Sequence, residues 1–151
     1  MNNVEYAGFW IRVAASLIDT VLFLLVVAPI LTMIYGAEYW TDTDFSAGLL
    51  GVLLNYVFPA IAVVLFWVYR SATPGKMAFH VTIVDATTGE KPTTGQLVGR
   101  YLGYFVAMLP MFLGIIWVGI DKRKQGLHDK LAGTVVIRNT SAEPVRFKTP
   151  D

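Results

Sequence analysis

Cysteine is absent from this 151-residue chain, which excludes disulfides, thiolate metal sites and a cysteine nucleophile and leaves the redox compartment unread. Charge is scarce: 15% of residues are charged against 55% hydrophobic, where a soluble domain carries about a quarter. Neither sign dominates, with a formal net charge of +1, so nothing favours nucleic acid as a partner. There is no nucleophile–base signature, phosphate-binding glycine loop or HExxH motif, and the expectation is a protein that is not an enzyme, with no metal and no cofactor. The start MNNVEYAGFWIR lacks the compact basic region of a secretory signal. The apolar run behind it is too long for a signal core and reads as a retained membrane helix.

Apolar length is abundant. Between Val13 and Ile34 the single charge is Asp19, giving roughly 22 residues and about 33 Å of helix, enough to cross a hydrocarbon core of about 30 Å. A first segment from about Phe9 to Tyr35 and a second from about Ala47 to Tyr69 are therefore expected to span. Pro29 and Pro59 lie inside them, as membrane helices tolerate. Aromatics gather at their ends (Phe9, Trp10, Tyr35, Tyr39, Trp40, Trp67, Tyr69), where an interfacial belt places them. Beyond Arg70, HVTIVD reads as a short strand and ATTGEKPTT as a loop. TVVIR (Thr134 to Arg138) is a second β-branched stretch that can pair with the first. The residues after 138 read as a flexible tail, leaving 1–138 as one membrane domain.

The third apolar segment, about Gly95 to Ile120, carries Gly95, Gly99, Gly103 and Ala107 every four residues. On a helix these form a groove where another backbone can approach closely. Whether it spans or re-enters is weighed from charge placement. The loop GAEYWTDTDFS has no Lys or Arg and is external by the positive-inside rule. The stretch 70–96 carries Arg70, Lys76 and Lys91, and the region beyond Ile120 carries Lys122, Arg123, Lys124, Lys130 and Arg138. A single crossing by segment three would put these basic regions on opposite faces and separate the two strands. A re-entrant path, in to Leu109, broken near Pro110 and back by Ile120, keeps both on the cytoplasmic side. The expected fold class is thus an all-α integral membrane protein: two transmembrane helices, a third broken or re-entrant segment, and a small cytoplasmic β-sheet element.

Few polar residues can carry chemistry. Arg12 and Asp19 are seven apart, on one helix face with Asp19 about 10 Å deeper. An intramembrane carboxylate costs about 2.5–3.5 kcal/mol on insertion scales, so Asp19 is expected to face protein or water, as a cation or proton site or as a structural acid bonded to a neighbouring helix. Asn55 in segment two is a candidate partner for it. Asp121, His128 and Asp129 can offer ligands, although the His-Asp pair has no metal spacing. The surrounding Lys and Arg residues equally suit an interfacial cap facing anionic lipid.

Together, FWIRVAASLIDT, SATPGKMAFHVTIVDATTGEKPT and KRKQGLHDKLAGTVVIR resemble, in order, the motifs of the RDD family of small bacterial and archaeal membrane proteins, named for one arginine and two aspartates. The resemblance covers about Tyr6 to Arg138 and puts Arg12 and Asp19 in the first two roles. The second aspartate falls on Asp129, with Asp121 the second choice. Lys76 is followed by Met77, Ala78 and Phe79, where the family pattern is more basic and contains glycine. The resemblance implies a multi-pass inner-membrane protein. Some members look like monovalent-cation/proton antiporters; the other reading is a non-transporting adaptor with an internal Arg/Asp clamp and a basic cap for a partner or anionic lipid. The implied partners are the bilayer, a monovalent cation or proton and further copies of the chain. Arg12 is expected to pair with Asp129, closing a small polar cavity with Asp19 at its floor.

Overall fold

A computed structural model describes residues 5–41, 48–109, 111 and 113–138; Pro110 and the expected tail after 138 lie outside them. The chain opens with strand β1 (Glu5–Tyr6) and helix α1 (Phe9–Tyr35), which ends at Gly36 in the left-handed region at φ 79°. A 3-10 turn, Ala37–Trp40, follows. The second segment is α2 (Leu49–Val52), a π-helical turn Leu53–Val57 and α3 (Phe58–Arg70). Proline explains the π turn. Pro59 has no N–H to give the preceding turn and its ring crowds the carbonyl four residues back, so the backbone widens just before it.

Helix α4 (Pro74–Ala78) leads into strand β2 (Val81–Asp85). The third segment is α5 (Thr94–Met108), capped by Thr93 and Gln96 in a reciprocal box, then α6 (Leu113–Ile116) and a 3-10 turn, Trp117–Gly119. The two arms meet at a bend of 119°, the break expected from sequence. Helix α7 (Leu127–Leu131) and strand β3 (Thr134–Arg138) close the fold.

The strands form one antiparallel sheet in the order β1-β3-β2, with Ile83 opposite Val136 and Tyr6 opposite Ile137. The two expected strands do pair; the two-residue β1 is an addition that the sequence does not signal. Central strand β3 is buried from Thr134 to Ile137, as a continuous β-branched run allows. Because β2 precedes the third segment and β3 follows it, both ends of that segment return to the same sheet. The main core lies here, where Trp67, Val81, Ile83, Leu97 and Val136 pack together. Two helices, Phe9–Tyr35 and Leu53–Arg70, are long and apolar enough to cross a membrane, and their most apolar windows are only 11% and 6% buried. That leaves far more apolar surface open than a monomeric soluble protein shows.

The small-residue stripe needs correction. A side chain added at Gly99 would meet nothing within 4 Å and one at Gly95 only the Thr93 hydroxyl at 4.0 Å. Gly103 instead abuts the His128 backbone of α7, 3.0 Å from where a Cβ would stand, and Gly114 of α6 packs on Ala107. Residues four apart drift by about 40° per step round a helix, so only the C-terminal half of the stripe faces the returning chain. It seats α6 and α7; it does not join two spans.

Candidate functional site

Asp129 lies at the centre of a buried charge cluster. Its Oδ2 accepts from Arg12 Nη1 at 2.5 Å and from the Gly126 N–H at 3.0 Å, while Oδ1 accepts from Arg100 Nη1. Asp129 and Arg100 have no exposed side-chain surface, and Arg12 retains 11%. The local sequence makes this possible. Gly126 starts α7 in extended backbone, and Asp129 three residues on folds back to cap it, a position where a carboxylate also favours the helix dipole. Arg12, one turn into α1, is held by Ala7 O at 3.0 Å through Nε and Lys124 O at 2.5 Å through Nη2. Arg100 comes from the interior of α5 and also donates to Thr134 Oγ1 at 2.9 Å.

The expected Arg12–Asp129 pair is therefore present, and Asp129, not Asp121, is the acid that meets Arg12. Arg100 was not read from sequence. The available signal was a lone arginine in an apolar segment, three residues before Gly103 and on the same helix face. Burial alone would raise the Asp129 carboxyl; Arg100 and Arg12 outweigh it and hold the group well below the ordinary carboxylate range. Lys76 is also buried, its ammonium 5.3 Å from the Trp67 ring centre, and burial pushes it below the usual lysine range.

His128 belongs to the cluster as packing. Its ring stacks on Tyr104 at 3.9 Å, and neither nitrogen has a hydrogen-bond partner. Burial lowers it to about 3, against the opposing pull of Asp129. The folded-state value thus lies below the unfolded 6.5. Between these values the unfolded chain holds a proton that the folded chain lacks, so this stability is complete above pH 6.5 and lost as pH falls toward 3, by about 1.4 kcal/mol per unit. Melting in detergent should fall over this window, and His128→Phe should flatten the profile; a flat wild-type profile would contradict the neutral, buried ring.

Asp121 stands apart. It pairs with Lys130 at 2.5 Å and caps the N–H groups of Arg123 and Gln125. Asn55 does not reach Asp19: it donates to the Tyr39 hydroxyl at 2.5 Å and to Gly51 O at 2.9 Å. Asp19 is held by α4, accepting from Thr73 Oγ1 at 2.5 Å and from Gly75 N at 2.7 Å. The single cavity expected beneath the Arg12–Asp129 pair is corrected as well. Arg12 and His128 line a groove of about 220 Å³ between α1 and the third segment, whereas Asp19 borders a separate cleft of about 480 Å³ between α1 and α3. Among the described residues no group of three or more His, Asp or Glu side chains is placed to hold a metal.

The fold and cluster define a small, mainly helical protein of membrane type, stapled inside by an arginine–aspartate network. The chain belongs to the RDD family, whose model matches residues 6–133. It is 30% identical over 144 residues to the uncharacterized membrane protein YteJ of Bacillus subtilis (strain 168), covering 87% of this chain and 80% of that one. It is 29% identical to the protein YckC of the same organism, over 95% and 91% of the two chains. Over 74 residues it is 42% identical to the protein RP437 of Rickettsia prowazekii (strain Madrid E), covering 49% of this chain and 40% of that one. It thus spans less than half of that relative's length. No solved structure matches it.

Proposed function

We propose that this chain is a multi-pass protein of a prokaryotic cytoplasmic membrane that exchanges a monovalent cation for a proton at Asp19. One observation carries the reading: among the described residues, Asp19 is the single ionisable group lining the cleft between the two candidate spans. Asp129 is unsuited to the task, because two guanidiniums and a backbone N–H already occupy it. Arg12, Arg100 and Asp129 act as the clamp that keeps the third segment folded back. The termini lie on the cytoplasmic side, a reading supported by the basic stretches at 70–91 and 122–138 and by their meeting in one sheet. Two spans and a bent third segment enclose little, so the pathway is completed between copies in a homo-oligomer.

The test is proton movement in proteoliposomes, reported by an internal pH dye, when gradients of sodium, potassium or tetramethylammonium are imposed. Wild type should move protons above the rate of protein-free vesicles with at least one of these cations. Asp19→Asn should abolish the movement while keeping the fold, because an amide still accepts a hydrogen bond but does not titrate. Wild-type movement no greater than in empty vesicles, from folded protein, would contradict transport and leave the adaptor reading.

A further inference from the structure

The cleft beside Asp19 differs in chemistry from an inorganic-ion site. Its volume of about 480 Å³ falls in the roughly 300–1,000 Å³ range of small organic ligands. Its walls are apolar, with Phe23 and Val27 from α1 facing Phe58, Ala62 and Phe66 from α3. Among the described residues its polar lining side chains are few and gathered together: the Asp19 carboxylate, the hydroxyl of Thr73 bonded to it and that of the adjacent Thr20. The Thr20 hydroxyl is turned to Ser16 O at 2.8 Å and Thr73 already donates to Asp19. A metal ion bound there would find few oxygens and would keep most of its water against a hydrocarbon wall.

The carboxylate itself remains open to a cationic partner. Thr73 and Gly75 each occupy one of its oxygens, and each oxygen has a further acceptor position. Among the described residues no Lys, Arg or His stands within ion-pair distance of Asp19, and the buried Lys76 ammonium acts on it only from farther off. A negative charge bordering an aromatic, apolar cleft complements a cation that brings its own apolar surface, since rings attract such cations as the carboxylate does.

We propose that the α1–α3 cleft binds a lipophilic organic cation, its charge on Asp19 and its apolar body against Phe23, Phe58 and Phe66. The proposal rests on Asp19 as the working group and narrows the class of cation it takes. The experiment is equilibrium binding of tetraphenylphosphonium to the full chain in phosphatidylcholine nanodiscs, with neutral triphenylphosphine oxide as comparison. Saturable binding of the cation is expected, and Asp19→Asn should weaken it about tenfold or more, as loss of a charge-assisted contact implies. Ala62→Trp obstructs the cleft from its α3 wall while leaving residue 19 an aspartate, and should abolish saturable binding even if Asp19→Asn misfolds. Binding unchanged in Ala62→Trp or in folded Asp19→Asn, or equal binding of the neutral compound, would overturn the proposal in favour of a cleft filled by lipid chains. Cation-driven proton movement without saturable tetraphenylphosphonium binding would refute this inference alone. Asp19-dependent binding without proton movement would support it and refute transport alone.

Discussion

Asp129→Ala should destabilise the folded chain by about 3–5 kcal/mol, the cost of leaving a buried charge without its partner. It is expected to be the most damaging change in the cluster. Arg12 and Arg100 would be left without the acid between them, and Gly126 would lose its cap. Arg100→Ala should follow closely, since Arg100 is fully buried and its loss also opens a cavity under Trp67 and Tyr104, whose rings its guanidinium faces at 5.4 and 5.9 Å. Arg12→Ala should cost least, because Arg12 is partly exposed and Asp129 keeps Arg100. Residues sharing one network do not add, so Arg12→Ala with Asp129→Ala should lose much less than the sum of the single changes. Chemical or thermal unfolding in detergent measures all four; strictly additive losses would mean that the residues act independently.

Gly75→Ala should be nearly as severe for a different reason. A Cβ there would stand 2.0 Å from Ala15 O and 2.9 Å from the Asp19 Cγ, so α4 must move off α1. The movement also breaks the 2.7 Å hydrogen bond from Gly75 N to Asp19. Overpacking of this kind costs about 1–3 kcal/mol, and a clash with backbone belongs at the upper end. Gly99→Ala is the matched control: it lies inside α5 with nothing within 4 Å. There alanine should stabilise by about 0.5–1 kcal/mol through helix propensity. Similar melting temperatures for the two variants would show that α4 does not seat on α1 through Gly75.

Where several residues had to agree, the fold was legible from sequence. The two apolar runs, the break in the third segment and the pairing of VTIVD with TVVIR followed from length, charge placement and β-branching acting together. The Arg12–Asp129 pair followed too, because the basic regions cannot share one face unless the third segment returns. Single residues were harder. Asn55 is a candidate partner for Asp19 because both are polar in apolar surroundings, yet the π turn before Pro59 directs it to Tyr39 and its own helix. Asp19 finds its donors in SATPGK, a turn whose partner no periodicity reveals. The glycine stripe stated that a backbone comes close but not which one, and Arg100 was hidden within it. Thr93 and Gln96, three residues apart, form a capping pair at the start of α5 whose spacing is legible in the sequence.

The return of the third segment holds the cluster, the sheet and the proposed topology together, and single-cysteine labelling tests it most directly. In this cysteine-free chain, Thr41→Cys, Thr88→Cys and Lys122→Cys place one thiol each beyond α1, between β2 and α5, and before α7. All three positions are exposed. With an impermeant maleimide on intact cells, position 41 should label, while 88 and 122 should label only after lysis. Labelling at 122 with 88 protected would mean that the third segment crosses the membrane, and neither the β2–β3 pairing nor the Arg12–Asp129 contact would survive that result.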